Sequence, residues 1–304
     1  MAWHGRLIGK SLLTVSAMML AASAAWGKPH VKGGEPHIAA APHMHWKLTW
    51  KDNFNHGQKS ITGWHYDLGG SGWGNNEDEV YTRSRRNVFV AHGYLNIMAI
   101  GKRVHGHVRY TSGRITTRNA FSQRYGLFVV KARLPMGRGL WPAIWMMPQR
   151  SVFGGWPRSG EIDIVESRGN WIHHVQGSLH SGNVWNQDNT QTKIFRFLKG
   201  QSTAQWHTYA LRWEPASVPG HPGEKLVKIQ WYVDGHLYET RQGGWTVPNS
   251  APKGSINAPF NHRFHLIFNL AVGGNYVGGK TPGPGRYDLQ IAYIHAYQLV
   301  RDRK

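Results

Sequence analysis

The chain contains no cysteine. This absence excludes disulfide bonds, cysteine-based catalysis, thiolate metal sites and a lipid anchor on an N-terminal cysteine. A chain of 304 residues is nevertheless long enough to be stabilised by a hydrophobic core alone. The sequence therefore predicts a domain that folds without covalent cross-links.

Acidic residues are also scarce: 16 Asp and Glu oppose 36 Lys and Arg, and the formal charge is +20 at pH 7. Charge of this size affects solubility and partners rather than fold. The basic residues are scattered, with one local cluster at Arg83-Ser84-Arg85-Arg86, so we expect no nucleic acid partner. Two explanations stay open: adhesion to an anionic surface, or life in acid, where the 19 His become charged.

Long apolar runs are absent except near the N-terminus. There, Arg6 and Lys10 precede an apolar stretch from Leu12 to Trp26. This stretch is shorter than the roughly 20 residues of a membrane span and suits a secretory signal. We expect residues 1–27 to be a signal peptide, an uncleaved anchor being the alternative. The mature protein would then be secreted or periplasmic, with no membrane span.

Residues 28–44 are rich in Pro, Gly and His without a period, which is typical of a linker or a loosely attached arm. The remaining residues, 45–304, have a length usual for one all-β domain. No internal repeat or second module is visible in them. We therefore expect a single catalytic domain over 45–304.

Helical periodicity is weak, and Gln191 to Lys199 is the one candidate for a short helix. Short alternating segments recur instead, separated by turn sequences such as His92-Gly93 and Asp234-Gly235. The clearest strand candidates are residues 94–99, 126–132, 227–233 and 264–270. Many strands joined by Gly-rich turns predict an all-β sandwich or jelly roll.

Three of the scarce acids fall within Gly160-Glu161-Ile162-Asp163-Ile164-Val165-Glu166. The β-branched residues favour a strand, on which Glu161 and Asp163 share a face. One extra residue, a β-bulge at Ile164-Val165, would bring Glu166 onto the same face. Retaining glycoside hydrolysis needs such a pair of carboxyls, about 5–5.5 Å apart. A solvated strand face without chemistry is the alternative interpretation of this heptapeptide alone.

Aromatic residues flank the acids on both sides. They are Trp141, Trp145 and Trp156 upstream, and Trp171, His173, His174, His180 and Trp185 downstream. Rings beside a carboxyl cluster suit a sugar, whose C–H faces stack on aromatic side chains. Core packing is the alternative for each ring taken separately, but the set as a whole indicates a cleft.

The heptapeptide resembles the E-x-D-x-x-E signature of the laminarinase-like branch of glycoside hydrolase family 16, whose members are β-sandwich endo-glucanases. Other segments resemble landmarks of that family in the family's order and extend the likeness over residues 46–298. These segments are residues 73–77 (WGNNE), 110–115 (YTSGRI), 125–126 (YG), 141–145 (WPAIW), 206–209 (WHTY), 231–235 (WYVDG) and 269–275 (NLAVGGN). The resemblance implies a jelly roll of two antiparallel sheets with a concave catalytic cleft.

By position, the resemblance assigns Glu161 as the nucleophile, Asp163 as its helper and Glu166 as the general acid/base. Carboxyls packed this closely cannot all ionise near neutral pH, so one proton is retained among them. No cofactor is implied.

The candidates for sugar binding fall into three groups. Those expected to stack on sugar rings are Trp141, Trp145 and Trp156. Those expected to donate or accept hydrogen bonds are Asn75, Arg114 and His180, and those expected to edge the cleft are Asn269 and Asn275.

One segment departs from the family pattern. Many relatives bind a structural calcium through an acid near the first strand and another in the last, where this chain has Asn53 and Ala292. Calcium prefers several oxygens, including charged carboxylates. We therefore expect no metal site, unless Asp52 or Asp288 substitutes.

The resulting expectation is an exported, monomeric, retaining endo-glycosidase that hydrolyses β-1,3-glucan or mixed β-1,3/1,4-glucan. Three alternatives stay open: a non-catalytic glucan-binding protein on the same scaffold, a hydrolase of algal galactans, and a transglycosylase.

Overall fold

The structure, a computed structural model of the chain, describes residues 38–40, 43–217 and 225–302. The predicted signal peptide over residues 1–27 lies outside the described residues, as does most of the predicted arm. Among the described residues, no helix is both long enough and apolar enough to traverse a bilayer.

Strands dominate the described part of the chain. They are β1 (Met44–Asp52), β2 (His65–Tyr66), β3 (Glu79–Tyr81), β4 (Val88–Ala91), β5 (Tyr94–Val104), β6 (His107–Ser112), β7 (Arg114–Thr116), β8 (Gly126–Arg133), β9 (Leu140–Pro148), β10 (Glu161–Glu166), β11 (His174–Ser181), β12 (Asn189–Arg196), β13 (His207–Ser217), β14 (Lys225–Val233), β15 (His236–Arg241), β16 (Phe264–Val272) and β17 (Gly285–Arg301). Two short 3-10 helices, Gly57–Ile61 and Asn275–Val277, complete the regular structure described.

The strands form two sheets. The ten-stranded sheet has the order β15-β14-β13-β8-β17-β5-β6-β3, with β1 paired to β17 and β4 paired to β5. The seven-stranded sheet has the order β12-β11-β10-β9-β16-β7-β2. The predicted all-β sandwich is therefore confirmed. Within the described ranges, the parallel pairing of β3 with β6 is the one departure from antiparallel ladders.

The main core lies between the two sheets. Strand β16, inside the seven-stranded sheet, is buried along its whole length. From the ten-stranded sheet, Trp213 and Trp231 are fully buried. The indole N–H of Trp231 donates a hydrogen bond to the backbone carbonyl of Asp163 at 2.7 Å. This bond ties β10 to the opposite sheet directly behind the acidic cluster.

The predicted strands and turns match the structure. Residues 94–99, 126–132, 227–233 and 264–270 lie in β5, β8, β14 and β16. The turn residues His92 and Gly93 have φ of 55° and 77°, and Asp234 and Gly235 have φ of 49° and 80°. Two successive positive φ values are typical of the type I′ turn, whose twist suits a two-residue hairpin.

The predicted helix over Gln191 to Lys199 is wrong, because most of it lies in strand β12. Strand β12 pairs with β11 along its whole length, from His174↔Arg196 to Ser181↔Asn189. The continuous ladder satisfies the backbone of this polar segment, and tertiary pairing thus overrides a weak local preference.

One described piece of the predicted arm packs against the outer face of the ten-stranded sheet. Ile38 is buried in a small cluster with Val129 and Tyr232. Its carbonyl accepts a hydrogen bond from the indole N–H of Trp46 at 2.9 Å. This residue therefore belongs to the packed structure rather than to a free linker.

Candidate active site

Strand β10 carries the predicted bulge. Against β11, Asp163 pairs with Ser178 and Glu166 pairs with Gln176, so three steps on β10 match two on β11. Against β9, the register shifts between Asp163 and Val165. Ile162, Ile164 and Val165 all enter the core, because the extra residue sends two successive side chains inward. The next side chain, Glu166, therefore turns outward with Glu161 and Asp163.

The three acids line a cavity of about 520 Å³ on the outer face of the seven-stranded sheet. Its other walls come from β7, β9, β11, β12 and β16 and from the loops around residues 73–77, 156 and 185. The predicted site residues that line it are Asn75, Arg114, Trp141, Trp145, Trp156, Glu161, Asp163, Glu166, His180 and Asn269. Residues far apart in sequence thus converge on the bulged strand.

Two tryptophans contact the terminal acids through their indole N–H groups. Trp156 donates to Oε2 of Glu161 at 2.6 Å. Trp141 donates to Oε1 of Glu166 at 2.9 Å. Gln176 adds a long contact to Oε2 of Glu166 at 3.5 Å. Hydrogen bonds to the ionised form stabilise a carboxylate and fix its orientation. These two tryptophans therefore orient the acids as well as lining the cavity.

His180 lies between two aspartates. Its Nε2 is 3.2 Å from Oδ2 of Asp163, an ion-pair contact too bent to count as a full hydrogen bond. Its Nδ1 is 2.5 Å from Oδ2 of Asp188. Burial acts to lower the pKa of His180, but Glu161, Asp163 and Asp188 outweigh it and raise the pKa to about 12. His180 is therefore a cation inside the acidic site.

Burial shifts the proton affinity of two of the acids. For Asp163, burial and then the negative charges of Glu161 and Glu166 raise the pKa well above its ordinary value. For Glu166, burial raises the pKa, although His180 and Trp141 act in the opposite direction. Closely packed carboxyls titrate as a coupled set. The site therefore retains a proton at a pH where isolated carboxyls have lost theirs.

Arg114 contacts two rings and Asp67 rather than the acids of β10. Its guanidinium lies 4.5 Å from the ring centroid of Trp73 and 4.8 Å from that of Trp145. Its Nε donates to Asp67 at 3.0 Å. The guanidinium of Arg114 therefore holds the rings of Trp73 and Trp145 on the wall of the cavity through cation–π contacts.

Asn269 joins that wall to a buried polar chain. Its Oδ1 accepts the indole N–H of Trp145 at 2.7 Å, and its Nδ2 donates to the Tyr81 hydroxyl at 3.0 Å. Tyr81 donates in turn to Glu77 at 3.0 Å, and Asn75 contacts the same carboxylate at 3.3 Å. Asn75 and Asn269 therefore belong to one network that reaches the cavity.

Asn275 lies at the rim and is not among the residues that line the cavity. Its side chain accepts a hydrogen bond from Asn76 at 2.9 Å, and its backbone N–H donates to the Asn75 carbonyl at 2.8 Å. Its contacts hold the 72–77 loop in place, and the structure gives it no direct contact with the acids.

Several lining residues were not among the site residues assigned from the sequence, although one of them, Trp185, belonged to the aromatic set that indicated a cleft. They are Trp73, Glu77, Ala143, Met147, Gln176, Ser178, Trp185, Asp188, Thr190 and Tyr276. Gln176, Ser178 and His180 alternate along β11, so strand periodicity carried a usable signal for the first two. Trp185 and Asp188 lie in a loop whose path no periodicity reveals.

Trp185 closes one side of the cavity. Its ring meets that of Trp156 edge-on, with centroids 4.7 Å apart, and it is 61% exposed. A Cβ on Gly74, which has φ of 79°, would lie 2.9 Å from this ring. Gly74 therefore allows the 72–77 loop to approach Trp185 closely.

In the described part of the chain, Glu161, Asp163 and His180 form the one grouping with metal-like spacing, their ligand atoms lying within 4.8 Å of one another. Glu161 accepts the Trp156 N–H, and both His180 nitrogens face aspartates. A protonated imidazole offers no lone pair to a metal. We therefore interpret the grouping as a proton network.

At the segments where the family resemblance implies calcium ligands, the side chains of Asn53, Asp52 and Asp288 contact other protein groups. Oδ1 of Asn53 is 2.5 Å from Nε2 of His295. Asp52 accepts the Phe54 backbone N–H and the Trp64 indole N–H. Oδ2 of Asp288 accepts from Gln290 at 2.7 Å. The carboxylates of Asp52 and Asp288 thus have protein partners.

A β-sandwich whose outer sheet face carries three bulge-aligned carboxyls between tryptophans defines a glycoside hydrolase. The model of the family "Glycosyl hydrolases family 16" matches residues 75–256. The chain belongs to this family.

Relatives and solved structures agree with that assignment. The chain is 38% identical over 259 residues to a glucan endo-1,3-beta-glucosidase of Cryptopygus antarcticus, covering 83% of this chain and 89% of that protein. It is 36% identical over 269 residues to glucan endo-1,3-beta-glucosidase A1 of Niallia circulans, where 83% of this chain spans 38% of the longer protein. The laminarinase structure from Rhodothermus marinus superposes with a TM-score of 0.71 at 36% identity, covering 85% of this chain and 99% of that one.

Proposed function

We propose that the protein is an exported, retaining endo-hydrolase of β-1,3-glucan or mixed β-1,3/1,4-glucan. The observation that carries the proposal is the bulge on β10, which turns Glu161, Asp163 and Glu166 toward one cavity. The names of the similar proteins, glucan endo-1,3-beta-glucosidase and laminarinase, support the choice of substrate.

In the first step, the carboxylate of Glu161 attacks the anomeric carbon while Glu166 gives its proton to the departing glycosidic oxygen. The C–O bond to the leaving sugar breaks and a glycosyl ester on Glu161 forms. The raised pKa of Glu166 suits this role, because a general acid must begin protonated. The Trp156 N–H orients the carboxylate of Glu161, and the ring of His180 lies beside it.

In the second step, Glu166, now a carboxylate, removes a proton from water, and the water oxygen attacks the same carbon. The ester bond breaks, Glu161 leaves as a carboxylate, and Glu166 is protonated again. Two inversions give net retention at the anomeric centre. Asp163 lies between the two glutamates along β10 and is 2% exposed. We assign it to adjusting the charge on Glu161 as the ester forms and breaks.

Sugar binding is assigned to the aromatic walls. Trp141 and Trp156 hold their indole edges toward the acids. One face of Trp141 stacks on Tyr276, so its opposite face and a face of Trp156 are assigned to sugars bound across the scissile bond. Trp145, backed by Arg114, offers a further face. Asn75 is assigned to hydrogen-bonding sugar hydroxyls, whereas both nitrogens of His180 face aspartates.

Export and a monomeric state complete the proposal. Export is supported by the basic residues and apolar stretch of residues 1–27. The monomer is proposed because one chain supplies both the three acids and the tryptophans that donate to Glu161 and Glu166. N-terminal sequencing of the protein recovered outside the cytoplasm tests the first, and light scattering at assay concentration tests the second.

Product analysis on laminarin, lichenan and agarose tests the catalytic proposal. We expect short oligosaccharides from laminarin, appearing early and with the β-anomer in excess by NMR. Absence of laminarin cleavage would contradict the proposal, and binding without cleavage would favour a glucan-binding protein. Products longer than the starting chains indicate transglycosylation, and cleavage of agarose alone indicates a galactan hydrolase.

A further inference from the structure

A tight loop returns the chain from β11 to β12 and places an acid behind His180. The loop covers residues 182–188. A Cβ on Gly182 would lie 2.7 Å from the Gln187 carbonyl and 2.9 Å from the Pro157 ring. Because glycine is needed at its start, the loop closes tightly and brings Asp188 back against the strand that it left.

Asp188 is held by three protein groups. Its Oδ1 accepts the backbone N–H of Ser181 at 3.1 Å. Its Oδ2 accepts the Thr190 hydroxyl at 2.5 Å and lies 2.5 Å from Nδ1 of His180. The Asp188 side chain is 15% exposed and that of His180 is 20% exposed. The carboxylate is therefore fixed in one orientation, with its charge directed at the imidazole.

The imidazole connects Asp188 to the acids of β10. Its Nδ1 faces Asp188, and its Nε2 faces Asp163. The charged groups that act on His180 are Glu161, Asp163 and Glu166 from β10 and Asp188 from the loop. A neutral imidazole carries one N–H and serves only one of the two aspartates, whereas the cation serves both.

We propose that Asp188 is a positioning residue: it holds the imidazolium of His180 against Asp163, and through the ring sets the orientation of Asp163 and Glu161. This role rests on the glycosidase function proposed above. Asp188 itself contacts none of the three acids of β10 in the structure. Its effect reaches them through the ring.

Removal of the Asp188 charge tests the role. In Asp188→Asn the side-chain shape is kept, but the negative charge behind His180 is lost. We expect kcat on laminarin to fall about 10- to 100-fold, the size of effect seen when the carboxylate behind a metal-bound histidine is removed, with little change in KM. By NMR, His180 should stay cationic across the neutral range in the native enzyme. In the variant it should titrate nearer the ordinary imidazole pKa of about 6.5.

The chain offers a control in a second His–Asp pair, in which the histidine is buried and the aspartate is exposed. Nδ1 of His207 lies 2.6 Å from Oδ2 of Asp234, in the ten-stranded sheet and away from the cavity. Asp234→Asn should lower thermal stability and leave both kcat and the His180 titration unchanged. Asp188→Glu, which keeps the charge, should restore part of kcat and the cationic imidazole.

The readouts separate the possible failures. If Asp188→Asn has native kcat and His180 stays cationic, the positioning role is wrong. If the native enzyme cleaves no glucan, the proposed function fails, while the NMR titration still measures the coupling between Asp188 and His180. If Asp188→Asn does not fold, Asp188→Ser removes the same charge and keeps an acceptor for the Ser181 N–H. A cationic His180 in that folded variant would also contradict the role.

Discussion

Two buried carboxyl clusters lie beside the cavity, and they differ in whether a cation compensates their negative charge. The cluster on β10 contains Glu161, Asp163 and Glu166 and faces the cation of His180. The second cluster contains Glu77 and Glu79, which are 8% and 1% exposed. No ion pair found among the described residues involves either member.

The difference shows in the proton affinity of the second cluster. Burial, and then the charge of Glu77, raise the pKa of Glu79 to about 8. Its Oε2 accepts the Val272 backbone N–H at 2.6 Å, but its Oε1 has no partner. The acids on β10 face the cation of His180, whereas the second cluster has no cationic partner in the described part of the chain and keeps a proton. Under the proposed function, clustered carboxyls thus serve chemistry in one place and structure in the other.

The sharpest test of this comparison is a matched pair of amide substitutions. Glu161→Gln removes the nucleophile and keeps the shape of the side chain, so we expect turnover of laminarin to fall at least about 1,000-fold. Glucan binding, measured by affinity electrophoresis, should be largely retained because the tryptophan walls are unchanged. Glu79→Gln should hydrolyse laminarin at close to the native rate. Similar losses in both variants would contradict the division of roles.

Changes to the length of the bulge on β10 should have the next largest effect on laminarin hydrolysis and stability. Deleting Val165 gives E-I-D-I-E, which keeps all three acids on one face by simple alternation. We expect a folded protein with residual hydrolysis. Inserting one alanine after Val165 instead turns the final glutamate into the core, at a cost of several kcal/mol. Urea denaturation and laminarin hydrolysis measure both variants, and equal stability and activity in the two would show that the bulge does not hold Glu166.

The smallest effect concerns stability and pH. Because the folded-state pKa of Glu79 lies above the ordinary value of 4.5, the native state binds more protons than the unfolded state between about pH 4.5 and 8. The free energy of unfolding should therefore fall, by an amount on the order of a few kcal/mol, as pH rises through that window. Urea denaturation at pH 5 and pH 8.5 measures the slope.

Glu79→Gln should weaken the dependence of the unfolding free energy on pH, since the glutamine cannot ionise. Burial also raises the pKa of Asp288 to about 7, against the opposing effects of Gln290 and two arginines. Ionisation of Asp288 therefore also lowers the free energy of unfolding as pH rises. Asp288→Asn should remove part of the pH dependence that remains in Glu79→Gln. An unchanged slope in Glu79→Gln would mean that Glu79 is ionised in the folded protein at neutral pH.

Sequence patterns were sufficient to predict the structure where the contacts are local. The spacing of Glu161, Asp163 and Glu166 predicts a bulged strand because side chains alternate with a fixed period, and the structure has the bulge at that point. Glu77, Glu79 and Tyr81 also stand two residues apart, and this alternation could have revealed the second carboxyl cluster.

Sequence patterns were insufficient to predict contacts that depend on loop paths and strand register. Asp188 meets His180 only because the 182–188 loop closes tightly. The indole N–H of Trp141 reaches Glu166 because β9 pairs with β10. The indole N–H of Trp156 reaches Glu161 because the loop before β10 brings residue 156 close to that strand. The sequence predicted these tryptophans as stacking platforms, without their second role as hydrogen-bond donors.

The position of β17 has a consequence for the order in which the molecule assembles. This last of the described strands pairs with β8 on one edge and with β5 and β1 on the other, so the middle of the ten-stranded sheet is empty until residues 285–301 have been synthesised. Gly285 pairs with Gly101, and Arg301 pairs with Met44. Folds dominated by such distant pairings form slowly. The ten-stranded sheet therefore cannot be completed before residues 285–301 have paired along both of their edges.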